Sequence, residues 1–315
     1  MIPVKLVDLI RQQAAQPPSG TVRALAERIR AIYGDAVQGI LFYGSCLRSG
    51  DDRGGMVDLY VIVDRYRNAY RSRRWASLNQ VLPPNVFYLE TCADERVVRA
   101  KYAVLSLADL KCGTSPAWFH SYLWGRFAQP AAILYAQNPD IAVQLHQALG
   151  QAVLTFLARV LPCAPERFSV RQLWLRGLSL SYRAELRAER PEKVAGLFQS
   201  AADYYELITA AALPLLPFRV ERFEGREVTF NAHISDWRRR CGRIGWRVRS
   251  VQGKILSVVR LLKGAFTFSG GLDYILWKIE RHTGVRVEAP PRLRRHPILA
   301  LCVLSWRLYR RGAFR

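Results

Sequence analysis

The chain has 315 residues, half of them apolar and 11% aromatic, which is enough for a real core and too much for an intrinsically disordered protein. Basic side chains outnumber acidic ones 47 to 25, a net charge of +22, so the surface seeks phosphates, whether on nucleic acid, nucleotides or anionic lipid. No run reaches the roughly 18–20 uninterrupted apolar residues of a membrane-spanning helix.

The N-terminus lacks the basic-then-apolar pattern of a signal peptide, so export is not expected. Cys46, Cys92, Cys112, Cys163, Cys241 and Cys302 are scattered singly. That spacing excludes a CxxC-type zinc site and suits a reducing compartment. The charge is uneven: residues 237–315 hold 19 Lys/Arg against 3 Asp/Glu, so sixteen of the 22 net charges sit in the last quarter.

In chain order, Ser19 is a helix cap, and Val22, Leu25, Ile29 and Ile32 recur at helical spacing until Gly34. The apolar run 40–43 predicts a strand ending at Gly44-Ser45. A polar, Gly-rich connection leads to a second strand over 56–63, interrupted by Asp58 and Tyr60. Pro83-Pro84 closes a helical segment, and 86–89 is a third strand. Beyond about residue 95 the pattern reads as mostly helical, with helices over 117–127, 141–160 and 194–213. The segment 297–311 is apolar around most of its girth and then strongly basic. These features predict an α+β protein: a mixed α/β N-terminal domain over 1–137, a mostly helical second domain over 138–285, and a basic amphipathic C-terminal helix within a tail at 286–315.

The sharpest local feature is the pair Gly44-Ser45 and Asp58. A Gly-Ser turn at the mouth of a strand offers backbone N–H groups and a hydroxyl to a phosphate, and glycine lets the backbone approach closely. An acid on the adjacent strand supplies the hard oxygen that Mg²⁺ takes beside phosphates. This is the logic of the nucleotidyltransferase fold, so the N-terminal domain over 1–137 is expected to have that fold. Asp58 and Ser45 are the candidate catalytic residues, and Gly44 and Ser45 the phosphate cradle. A second acid two residues on is replaced by Tyr60. Asp64 is about 20 Å away along an extended strand, so Glu90, on the same strand face as Val86 and Tyr88, is the candidate second metal ligand.

These residues resemble the mitochondrial-type phosphatidate cytidylyltransferases (the translocator assembly and maintenance family), which also occur in bacteria. Beside Tyr43-Gly44-Ser45 and the single-acid strand, three segments carry the likeness in order: Lys101-Tyr102-Ala103-Val104-Leu105-Ser106, then Tyr122-Leu123-Trp124-Gly125-Arg126-Phe127-Ala128-Gln129-Pro130, then Lys263-Gly264-Ala265-Phe266-Thr267-Phe268-Ser269-Gly270. Cys46, Ala103 and Gln129 depart from the family pattern. So does the missing set of histidines between the second and third strands, where only Trp75, Asn79 and Asn85 are kept.

The resemblance implies that CTP and phosphatidic acid give CDP-diacylglycerol and pyrophosphate, with Mg²⁺. It also implies a cytoplasmic enzyme, peripheral on the anionic inner face of the cell membrane, with no nucleic acid as partner. Lys101 and Tyr102 become nucleotide-binding candidates. Arg126 either pairs with a buried acid or reaches a phosphate. Together with Lys263 and the tail residues Trp306, Arg307, Arg310 and Arg311, it makes up the candidate lipid- or membrane-binding set. The alternatives are a nucleotidyltransferase acting on RNA, motivated by the arginine–tyrosine alternation of 65–74, and an inactive nucleotide-binding homologue, motivated by Tyr60.

Overall fold

The computed structural model describes residues 2–15, 17–51, 55–93, 96–185, 190–225 and 228–267. Trp306, Arg307, Arg310 and Arg311, and the whole 286–315 tail, lie outside them.

Helices α1 (Val4–Ala14) and α2 (Gly20–Tyr33) precede strand β1 (Val37–Tyr43), the short α3 (Ser45–Ser49) and β2 (Val57–Val63). The Ser19 hydroxyl accepts the Val22 N–H and Gly34 ends α2, as the spacing predicts, although Ile32 faces solvent. After α4 (Tyr66–Ala69) and α5 (Arg73–Val81) come β3 (Asn85–Ala93) and β4 (Arg96–Ser106). The strand β4 overturns the expectation of helix beyond residue 95. Its Val98, Ala100, Tyr102 and Val104 are buried on one face, the period-2 signature of a half-buried strand, hidden in the sequence by the interleaved Arg96, Arg99 and Lys101.

Next are α6 (Leu107–Thr114), the single turn α7 (Trp124–Phe127) and β5 (Ala132–Ala136). The helix expected over 117–127 is thus confined to the single turn Trp124–Phe127, preceded by turns and irregular chain. The five strands form one mixed sheet in the order β3-β4-β2-β1-β5, with β2 and β4 parallel and the other neighbours antiparallel.

The remaining chain is largely helical: α8 (Pro139–Val160), α9 (Val170–Arg183), α10 (Pro191–Gln199), α11 (Ala202–Ala212) and the long α12 (Asp236–Thr267). The single helix expected over 194–213 is two, broken at Ser200-Ala201. A small antiparallel sheet joins β6 (Arg167–Phe168), β8 (Thr229–His233) and β7 (Arg219–Phe223), in that order. The architecture is α+β.

Each face of the main sheet carries its own apolar core. On one, Ile40, Phe42, Leu59, Val61 and Val104 pack under Val22, Leu25 and Ile29 of α2. On the other, Leu41, Tyr60, Ile62 and Leu105 run without a break into α8, Trp174 and Tyr205. The stretch Pro139–Cys163 is long and apolar enough to cross a bilayer, which the search for uninterrupted apolar runs misses. Its Leu145, Leu149, Val153, Phe156 and Val160 are all buried in this core, so it is the central helix of the fold.

The helix α12 is strapped across the molecule. At Gly253 it passes so close to the Ala184 carbonyl that an added Cβ would sit 2.1 Å from that oxygen. Near its end, buried Lys263 donates to the carbonyls of Leu82 and Pro84, the latter at 2.8 Å. Lys263 is therefore a structural clasp between α12 and the α5–β3 loop, and a lipid-facing role for it is not supported. Burial, with Arg260 nearby, lowers its pKa from 10.5 to about 8. The unfolded chain then binds more protons than the folded one between these values, so the stability from this group rises with pH through that window. The stability difference between wild type and Lys263→Met, measured by denaturant unfolding, is expected to shift in favour of wild type from pH 8 to 10.5.

Candidate active site

The Gly44-Ser45 turn and Asp58 meet because β1 and β2 are antiparallel neighbours with Tyr43 opposite Asp58. Gly44 has φ +94° and ψ −161°, backbone that is essentially confined to glycine. A Cβ there would lie 2.8 Å from Asp58 Oδ2, so the missing side chain is what lets the turn and the acid touch. Cys46, the departure from the family pattern, points into the opposite core. Its thiol donates to the Met56 carbonyl at 3.2 Å, tying α3 to the start of β2.

A cavity of about 340 Å³ opens above this pair between the sheet and the helices α7, α9 and α10. Gly44, Ser45, Asp58, Lys101 and Arg126 all line it. Lys101 is there because it stands opposite Asp58 in the parallel β2–β4 register. Of the two roles set out for Arg126, the structure shows the pairing with an acid, here the half-buried Glu185. It donates to Glu185 at 3.3 Å and to the Tyr43 hydroxyl at 3.1 Å, lies 4.6 Å from the Tyr122 ring, and remains on the cavity wall.

Sequence reasoning missed Arg48, Glu185 and Lys193, which also line the cavity. Arg48 sits one turn along α3 and was within reach of the motif. Glu185 follows the end of α9 and Lys193 sits in α10, and no local pattern encodes how these helices pack. Among the described residues the cationic groups outnumber the carboxylates four to two, an arrangement fit for a polyphosphate. Burial raises the Asp58 pKa above the ordinary carboxylate value, while Lys101, Arg126 and Arg48 pull the other way.

Two candidates fall elsewhere. Tyr102, next to Lys101 in a strand, necessarily faces the other side. It is buried against Phe87 and Tyr33, its ring stacked 5.4 Å from that of Phe87, away from the cavity. Glu90 does share the face of Asp58, but two strands away, about 10 Å at ordinary strand spacing, and its carboxylate is held by Arg99 at 2.9 Å and by the Tyr88 hydroxyl. Asp64 is at the far end of β2, bound to Arg65 N and Asn68. Tyr60 turns its buried hydroxyl towards Tyr122, where it makes no hydrogen bond of ordinary geometry. The retained Asn79 and Asn85 are structural, with Asn79 accepting from Asn85 N and donating to the Val104 carbonyl.

The donor set fits magnesium. Mg²⁺ at nucleotide sites is held by one or two carboxylates together with substrate phosphates and water. Asp58 is the carboxylate at the turn, and Glu185, across the cavity just past the end of α9, is the second acid that lines it among the described residues. No cluster of three or more His, Cys, Asp or Glu occurs among the described residues.

Residues 57–218, just over half of the chain, match the sequence profile of the family described as "Phosphatidate cytidylyltransferase, mitochondrial". The chain belongs to this family. The matched region contains Asp58, Lys101, Arg126 and Glu185 and begins after the Gly44-Ser45 turn. Among solved structures, a nucleotidyltransferase-like protein from Exiguobacterium sibiricum is 15% identical over 92% of both chains, with a TM-score of 0.23, a superposition too loose to align sites. No curated protein sequence matches the chain.

Proposed function

We propose that the protein transfers the cytidylyl group of CTP to phosphatidate, giving CDP-diacylglycerol and pyrophosphate, at the anionic inner face of the cell membrane. The observation that carries this reading is the convergence of the Gly44-Ser45 turn, Asp58 and the cations Arg48, Lys101 and Arg126 on one cavity in a member of this enzyme family.

The bond that breaks joins the α-phosphorus of CTP to the pyrophosphate, and the bond that forms joins it to a phosphatidate oxygen. The attacking phosphate is already an anion, so no strong base is required, and positioning with charge neutralisation carries the reaction. Gly44 and Ser45 cradle the terminal phosphates. Lys101 and Arg48 balance their charge and favour departure of pyrophosphate. Arg126, held by Tyr43 and Glu185, is placed to orient the lipid phosphate. Asp58 and Glu185 would hold magnesium, which supplies Lewis-acid polarisation of the phosphates.

On this reading residues 1–137 hold the catalytic turn and acid, 138–285 complete the cavity, and the 286–315 tail holds the protein at the membrane.

Two observations weigh against an RNA acceptor. Tyr66 and Tyr70 of the 65–74 segment are buried, with Tyr66 bonded to Asp109 and Ser106 and Tyr70 packed on Trp75 and Phe87. They are core residues and offer no face for bases to stack on.

Labelled CTP incubated with Mg²⁺ and phosphatidate vesicles should yield labelled lipid. Label entering RNA instead, or CTP binding without turnover, would refute the proposal. Ser45→Ala removes one hydrogen bond to an anionic phosphate, so CTP is expected to bind about 1–2 kcal/mol more weakly, read as Kd by calorimetry.

A further inference from the structure

A second cavity, of about 480 Å³, opens between α12, the end of α8 and the 116–119 segment, and shares no lining residue with the catalytic one. Arg159, Arg238 and Arg249 line it, and among the described residues no Asp or Glu does. Each arginine is steadied by a backbone carbonyl: Arg159 donates to Pro116 at 2.7 Å, Arg238 to Pro217 at 3.3 Å, and Arg249 to Phe119 at 2.8 Å. Arg249 is only 3% exposed. Its guanidinium lies 4.3 Å from the Phe119 ring and 5.3 Å from Trp246, and among the described residues no carboxylate pairs with it. A buried cation without a counter-ion is costly. Burial, with Arg159 adding like charge, lowers its pKa to about 10. The anion that would relieve this must also fit walls of Phe119, Ala158, Pro162 and Phe218.

A separate feature indicates what carries that anion. Trp237, Ile244, Val248, Val251, Ile255 and Leu262 of α12 are between 51% and 73% exposed. Their spacing of seven, four, three, four and seven keeps them on one helix face. Cys241 fills the gap in this stripe and also lines the arginine cavity, so the two surfaces are continuous. Exposed Arg240, Arg243, Arg247 and Lys254 run beside it, and the helix holds nine Lys/Arg against one acid, Asp236. A second copy docked along this stripe would oppose like charges along its length. An anionic bilayer satisfies the apolar stripe and the cations together.

We propose that this cavity is a non-catalytic site for the phosphate headgroup of an anionic phospholipid, with the exposed face of α12 seated in the bilayer surface beside it. The ligand class follows from the arginines, the apolar walls and the stripe, and so stands apart from the catalytic reading.

The test is sedimentation of the full chain with phosphatidylcholine vesicles, with and without phosphatidylglycerol. Wild type should bind the anionic vesicles and not the zwitterionic ones. Arg159→Glu/Arg238→Glu, and separately Val251→Glu/Ile255→Glu on the exposed face, should each weaken that binding at least about tenfold. Turnover on a soluble short-chain phosphatidate should be unchanged. Undiminished vesicle affinity in either double variant overturns the site while leaving the catalytic proposal intact. Thermal protection by inorganic phosphate without vesicle binding also overturns it, making the cavity a soluble-anion site. If wild type makes no CDP-lipid, the catalytic proposal fails and the vesicle result still decides this one.

Discussion

Asp58→Asn is expected to abolish cytidylyl transfer while raising the melting temperature of the ligand-free protein. The two effects have one cause. Asp58 faces a confined cavity where burial outweighs the attraction of Lys101, Arg126 and Arg48, so its pKa is raised. The folded protein therefore holds the Asp58 proton more tightly than the unfolded chain. Between the ordinary carboxylate value and the raised one, the stability from this group falls as pH rises. Asparagine mimics the neutral form and removes that slope, so the stability gain appears above the raised pKa and vanishes at low pH. Turnover needs the opposite state, because only the ionised carboxylate is a ligand for a hard cation. Loss of that ligand should cost on the order of 10³-fold or more in kcat, since metal-borne charge stabilisation is worth several kcal/mol. For the same reason, wild-type Mg²⁺ affinity should climb with pH across the window in which apo stability declines. Calorimetric melting of both proteins at pH 5 and pH 8, beside a CTP-turnover assay, measures all three. A variant with undiminished kcat removes Asp58 from the mechanism.

How much of this was legible in the sequence follows from the range of the interactions involved. Local features were readable. The Ser19 cap, the Gly44 turn and the acid on β2 depend on a few consecutive residues, and each is where the pattern predicts. Reading Lys101 and Tyr102 as a pair failed on elementary strand geometry, since neighbours in a strand face opposite ways. Once β4 is recognised from Val98, Ala100, Tyr102 and Val104, only Lys101 can accompany Asp58. Glu90 was placed on the correct face, but its separation depends on strand order, and the order β3-β4-β2 puts a whole strand between it and Asp58. Glu185 was beyond reach altogether. Its place on the cavity wall is set by the packing of α9 and by the ion pair with Arg126, 59 positions earlier, and neither leaves a periodic trace. Lys263 shows the converse, for a lysine in a basic helix reads as solvated until its carbonyl partners 179 and 181 positions away are seen.

The charge pattern divides the same way. The total excess does not separate the cations that line a cavity from those that flank an exposed surface. The fold does so. Arg48, Lys101, Arg126 and Lys193 turn inward around two carboxylates, whereas Arg240, Arg243, Arg247 and Lys254 flank an exposed apolar stripe with no acid on the same helix after Asp236. A mixed-sign cavity discriminates among small ligands by geometry, and a single-sign helical face responds to surface charge density. Raising salt should accordingly weaken vesicle binding far more than CTP binding.

Gly44→Ala is the second substitution with a large expected effect, and it tests whether the turn acts through the acid. Alanine at φ +94° is strained by about 1–3 kcal/mol, and its methyl would lie 2.8 Å from Asp58 Oδ2, inside van der Waals contact. The turn or the carboxylate must move. Displacement of a reacting group by about 1 Å costs on the order of 10²-fold in rate, so kcat should fall by about that factor, with a melting temperature lower by several degrees. Because much of the damage passes through Asp58, the substitutions should not be additive: Gly44→Ala introduced into Asp58→Asn should cost little further turnover. CTP affinity separates the remaining explanations. A cradle that has itself been pushed out of place raises the Kd for CTP, whereas a displaced carboxylate alone lowers kcat and leaves metal-free CTP binding nearly intact. Wild-type kcat in Gly44→Ala would mean that the close approach of turn and acid has no part in the chemistry.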